Sequence, residues 1–165
     1  MVNKQNFTPD EWAKLLESMM LAGMAVSAAE PSGLWGTLKE AFASRSAIAS
    51  SKESASNELV KAAVAELETR EGRATVQEGL RKLIAGAEPA EIVQRALNNL
   101  REVSAILEAK APADAAAYKA FLRSISEKVA AASLEGGLLG LGGARVSEAE
   151  KATLADIAKA LGASA

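Results

Sequence analysis

The chain has 165 residues, of which 49% are hydrophobic, 24% charged and 4% aromatic, and its formal net charge is −2. It contains no cysteine and no histidine. This excludes disulfides, zinc–thiolate centres and catalysis by Ser–His–Asp or Cys–His arrangements. The basic residues are dispersed along the chain, so the sequence does not indicate a nucleic-acid-binding surface.

The length suits one domain, and we expect residues 1–165 to form a single helical domain with a polar linker at about residues 50–56. Because aromatic residues are few, the core must consist mainly of alanine and aliphatic side chains. Alanine is the best helix former, and no segment alternates as a half-buried strand does, so the composition predicts an all-α fold. The N-terminal sequence lacks the apolar segment of a signal peptide, and we therefore expect a cytoplasmic protein.

The first two predicted helices lie before the polar linker. Thr8 and Glu11 form a capping-box pattern around Pro9, which favours a helix start, and this helix ends before Pro31. A second helix begins near Leu34, with apolar residues at helical spacing as far as Ala49.

The third and fourth predicted helices follow the linker. The third begins with Leu59 and Val60 in its apolar stripe and is expected to stop at Gly72. The pattern TVQE at residues 75–78 resembles a second capping box, and it predicts the start of a fourth helix that ends at Gly86.

Three more helices complete the predicted fold. Pro89 and Pro112 mark the starts of the fifth and sixth, and Tyr118 lies on the core face of the sixth. A capping box at residues 147–150 starts the seventh, which ends at Gly162. The sequence therefore predicts about seven amphipathic helices in one bundle-like or orthogonal domain.

Residues 135–143, here called the glycine–leucine segment, contain five of the chain's 12 glycines, interleaved with Leu138, Leu139 and Leu141. The segment lacks the Gly-Lys-Ser/Thr ending of a phosphate-binding loop. Two interpretations remain open. The leucines fold back over the ends of their own helices, or together with Leu34 and Trp35 they form an apolar surface that binds a protein partner or a second copy of the chain.

Acidic residues border the same region and form a candidate metal site. Glu30 and Glu135 lie at two predicted helix ends, and Glu150 lies in the first turn of the last helix. If the glycine–leucine segment folds back, Glu135 and Glu150 come close enough to hold a hard divalent cation through their oxygens. Glu150 is also the natural third residue of a capping box, a role that requires no metal.

Parts of the chain resemble the TerB-like, tellurite-resistance-related family. The stretches FLRSISEKVAAAS and VSEAEKATLADIAKALG, residues 121–133 and 146–162, resemble the C-terminal half of that family. LAGMAVSAAEPSG, residues 21–33, is similar to the family's first acidic turn. The resemblance implies an all-helical fold with two related halves. It also implies cation binding by turn acids, with Glu30 and Glu135 in the two turns and Glu150 downstream, although the family's usual Asp-Gly turn is replaced here.

Taken together, these features predict a non-enzymatic, cytoplasmic protein-binding module that uses the glycine–leucine segment, with an acidic cation site beside it. No catalytic residue is assigned. The alternative is a carboxylate-dependent, metal-assisted enzyme, which requires a concave pocket with converging carboxylates and a shifted pKa. Membrane contact through the glycine–leucine segment is disfavoured because no lysine cluster lies near it.

Overall fold

The structure is a computed structural model that describes residues 2–29, 57–135 and 147–162, with the backbone alone at 132–135. A short 3-10 turn at Lys4–Asn6 precedes α1. The six described helices are α1 (Pro9–Ala29), α2 (Glu58–Glu68), α3 (Arg70–Ile84), α4 (Pro89–Lys110), α5 (Pro112–Glu135) and α6 (Glu148–Ala160). These ranges contain no strand, which confirms the all-α prediction. The predicted second helix and the polar linker lie outside the described residues.

Helix α1 is the central element of the fold. Its charged residues all lie in its first half, at Asp10, Glu11, Lys14 and Glu17, whereas residues 18–29 carry none. Leu15, Leu16, Met19 and Leu21 are each no more than 1% exposed. A helical stretch without a charged face is stable only when neighbours cover it on every side. Each of the other five described helices packs against α1.

Helix α4 is a principal neighbour of α1 and runs antiparallel to it. Glu11, in the first turn of α1, accepts a 2.6 Å hydrogen bond from Lys110, the last residue of α4. One turn further along α1, Lys14 pairs with Glu102, which lies further from the end of α4. Between the two helices lies the apolar stripe of α4, which includes the fully buried Leu100.

Several predicted helix boundaries are confirmed. At the start of α1, the backbone N–H of Thr8 donates to Oε2 of Glu11 at 2.7 Å, and the N–H of Glu11 donates to Oγ1 of Thr8 at 3.2 Å. Gly86 and Gly162 follow the ends of α3 and α6 with φ angles of 65° and 77°. This left-handed conformation favours glycine because a Cβ would be strained there.

The predicted boundary between the third and fourth helices is wrong. Helix α2 ends at Glu68, and α3 begins one residue after Thr69, whose Oγ1 accepts the N–H of Gly72 at 2.9 Å. Thr75 therefore lies inside α3 and caps nothing. Gly72 does not end a helix. Its lack of a side chain lets α3 approach the end of α2 closely, because a Cβ at this position would overlap the backbone oxygen of Glu66.

Candidate functional site

The residues predicted to bind a partner lie in ranges that the structure does not describe. These ranges are residues 30–56 and 136–146, and the partner-binding residues in them are Leu34, Trp35, Leu138, Leu139 and Leu141. Glu30, one of the predicted metal ligands, lies there too. The position of this surface therefore stays a prediction, as does the choice between an outward-facing and an inward-folded glycine–leucine segment.

Near the described helix ends that border these ranges, some side chains are buried and others are exposed. Ala28, near the end of α1, is 8% exposed, and Ala130, in the last turns of α5, is 2% exposed. Glu150, in the first turn of α6, is also 2% exposed. Ala131 and Glu148, which lie nearer the glycine–leucine segment, are exposed.

Glu150 is a capping residue. Its Oε2 accepts the backbone N–H of Ser147 at 2.9 Å, and its own N–H donates to Oγ of Ser147 at 3.1 Å. Its carboxylate also lies at the N-terminal end of α6, where the helix dipole favours negative charge. Glu135 is the last residue of α5, and its side chain lies outside the description. Within the described ranges, no three His, Cys, Asp or Glu side chains are grouped so that they could hold a metal ion.

Tyr118 lies in the core, as its position on the predicted sixth helix indicates. It is fully buried, and its hydroxyl donates a 2.9 Å hydrogen bond to the backbone oxygen of Leu15. The hydroxyl of Ser18 donates to the same oxygen at 2.6 Å. Burial raises the pKa of Tyr118 well above its usual range, and a hydrogen bond with Ser18 acts in the opposite direction. The phenol therefore stays protonated at neutral pH and ties α5 to α1.

One carboxylate that the sequence reasoning did not single out, Glu17 of α1, is half-buried against α3. A Cβ added at Gly79 of α3 would lie 2.5 Å from Cδ of Glu17, so the carboxyl group occupies the space that a side chain would fill. Burial raises the pKa of Glu17, and the positive charges of Lys14 and Lys82 partly oppose this. The one feature of the sequence that could have indicated this contact is the glycine inside the amphipathic pattern of α3.

An open groove of about 370 Å³ lies between the end of α4, the first half of α5 and the end of α6. Its charged lining residues are Glu108, Lys119 and Arg123. Lys119, whose side chain is 14% exposed, pairs with Glu108. A Cβ at Gly162 would lie 3.7 Å from Nζ of Lys119, which places the cation at the negative end of α6. Lys119 of α5 thus lies between the end of α4 and the end of α6.

No protein-family model, no curated protein and no solved structure matches the chain. The resemblance to the TerB-like family therefore stays a prediction based on the quoted residues. None of the described helices combines the length and the apolar character that a membrane span requires.

Proposed function

We propose that the chain is a non-enzymatic, cytoplasmic protein-binding module whose contact surface is the glycine–leucine segment. The observation that carries the proposal is the composition of residues 135–143, in which three leucines alternate with five glycines. Glycine has no side chain and lets the backbone adopt many conformations, so such a segment can fit its leucines to a partner's groove.

The described helices support the proposal by supplying a rigid scaffold. Helix α5 is anchored by Leu122 and Ile125, and α6 by Ile157, all 0% exposed. Each helix also packs against α1 and α4.

The energetics favour a transient complex. Each leucine fully buried on a partner contributes about 1.5–3 kcal/mol, so three contribute roughly 5–9 kcal/mol before costs. Ordering the backbone opposes this by about 1–2 kcal/mol for each residue that becomes fixed. We therefore expect Leu34 and Trp35 to add contact area. A cation between Glu30, Glu135 and Glu150 is compatible with this function but is not required for it. No arrangement of the described residues favours the enzyme alternative.

The proposal is tested with the double variant Leu138→Ser/Leu139→Ser. A photo-crosslinking amino acid at position 141 should give one defined adduct in cells, either with another protein or with a second copy of the chain. The double variant should lose this adduct and keep the wild-type melting temperature, because leucines that face a partner do not contribute to the core.

Two controls make the result interpretable. The same crosslinker at the exposed Glu127 of α5 should give no such adduct. Leu100→Ser, at a position 0% exposed, should lower the melting temperature strongly, since truncating a buried leucine costs about 2–5 kcal/mol. A loss of stability in the double variant comparable to that of Leu100→Ser would refute the proposal, as would the absence of any adduct at position 141.

A further inference from the structure

Helix α3 is attached to the rest of the protein by few buried residues. Of its 15 residues, only Gly72 and Val76 are buried, whereas 12 of the 21 residues of α1 are. Leu80 and Leu83 are partly buried and pack on the edge of the core. Segments with few buried apolar contacts open at a lower free energy than the core does.

Both ends of α3 are points at which the chain can turn. At its start, Thr69 is the single residue between α2 and α3, and its backbone is extended rather than helical, with φ −77° and ψ 159°. Beyond its end, Gly86 has a left-handed φ of 65°. Helix α3 is thus a separate rigid unit between two non-helical junctions.

The contact between Glu17 and Gly79 lies in the middle of this lightly held helix. Gly79 is the tenth of the 15 residues of α3, and the carboxyl group of Glu17 fills the position its missing side chain would occupy. Docking α3 therefore takes part of the water away from a carboxyl group. This desolvation disfavours the charged form more than the neutral form.

The charged groups that act on Glu17 are Lys14 on its own helix and Lys82 on α3. Each is shared with another carboxylate. Lys14 pairs with Glu102 of α4, and Nζ of Lys82 lies 3.4 Å from Oε1 of Glu78. Desolvation outweighs both attractions, so the pKa of Glu17 lies above its ordinary value of 4.5 when α3 is docked.

We propose that Glu17 and Gly79 form a pH-dependent latch, which holds α3 on α1 more tightly when the Glu17 carboxyl is protonated than when it is ionised. The direction follows from linkage. The contribution of the latch is complete below the pKa of the undocked carboxyl. It is lost as the pH rises through the higher pKa of the docked carboxyl. Helix α3 is therefore expected to open more often at neutral pH than at mildly acidic pH.

The test is amide hydrogen exchange of the full chain, read residue by residue by NMR between about pH 4 and pH 8. Protection factors in α3 are divided by those of α4 at each pH, which removes changes in global stability. In the wild type this ratio should fall as the pH rises. In Glu17→Gln, which keeps the shape of the neutral carboxyl, it should stay high throughout. Glu127→Gln, at an exposed site on α5, should follow the wild type.

A second variant and a direct titration keep the test decisive. Gly79→Ala places a methyl group where the Glu17 carboxyl lies, so this flexible side chain must move into water. The pH dependence of the α3 protection should then disappear. In the wild type, the carboxyl carbon of Glu17 and the amide of Gly79 should titrate with one shared midpoint. The latch would be refuted if Glu17 titrated with the midpoint of an ordinary glutamate. It would also be refuted if the ratio of α3 to α4 protection changed with pH in the same way in the wild type and in Glu17→Gln.

Discussion

The hydroxyl and the ring of Tyr118 contribute to stability through different interactions, and two substitutions separate them. Tyr118→Phe removes only the hydroxyl, and with it the 2.9 Å hydrogen bond to the oxygen of Leu15. That oxygen keeps the hydroxyl of Ser18 at 2.6 Å, so no buried acceptor is left unpaired. We therefore expect a loss of about 1 kcal/mol in the free energy of unfolding, the net value of one ordinary hydrogen bond.

Tyr118→Ala also removes the ring, which is fully buried and meets Phe121 edge-on with ring centroids 6.4 Å apart. Truncating a buried aromatic residue to alanine costs about 3–5 kcal/mol, because the surrounding side chains fill the cavity only in part. For a chain of this length, 1 kcal/mol shifts the melting temperature by about 2–4 °C. Urea denaturation, with thermal melts alongside, measures both variants.

The control is Ser126→Ala, which removes a buried hydroxyl that bonds only within its own helix, to the oxygen of Arg123 at 2.7 Å. It should cost less than Tyr118→Phe, because local hydroxyl bonds of this kind add little to a helix. Equal losses for Tyr118→Phe and Tyr118→Ala would contradict the division between ring and hydroxyl. An unchanged free energy of unfolding in Tyr118→Phe would show that the hydrogen bond from Tyr118 of α5 to Leu15 of α1 adds nothing to stability.

Two further predictions concern single positions. Gly72→Ala should destabilise the protein by about 1–3 kcal/mol in urea denaturation, because its Cβ would overlap backbone atoms of Glu66, which cannot move aside as a side chain can. A variant as stable as the wild type would mean that the corner is looser than described. Ser147→Ala should cost about 1 kcal/mol by removing the cap of α6, visible as a lower melting temperature with the far-ultraviolet circular dichroism retained. No change in melting temperature would contradict a stabilising role for this cap.

The helix boundaries that the sequence predicted correctly depend on local interactions. The boxes of Thr8 with Glu11 and of Ser147 with Glu150 each connect residues three positions apart, so the pattern and the hydrogen bonds coincide. Gly162 ends α6 for an equally local reason, its left-handed φ. Apolar spacing likewise predicted the helical class and the burial of Tyr118.

The features that the sequence did not predict depend on contacts between distant segments or on less common residues. Gly72 was interpreted as a helix end because the approach of the Glu66 backbone is invisible in a linear pattern. Glu17 was missed because its burial depends on Gly79, on another helix. Glu88 is the N-cap residue of α4, and its backbone N–H donates to Oε2 of Glu91 at 2.9 Å, although glutamate is not a favoured residue at that position. The predicted partner surface depends on residues outside the described ranges, and its role remains a proposal.

The central position of α1 has a consequence for synthesis of the protein. Its antiparallel neighbour α4 follows much later in the chain, and the pair Glu11–Lys110 joins residues 99 positions apart. While the ribosome translates the intervening stretch, α1 has emerged without α4 to cover the apolar side chains that the fold buries, such as Leu15 and Leu16. Such a nascent chain is a natural client for chaperones that bind exposed apolar segments. A premature stop before α4, which begins at Pro89, would release a fragment that is prone to aggregate, because the partner of α1 is encoded in the second half of the message.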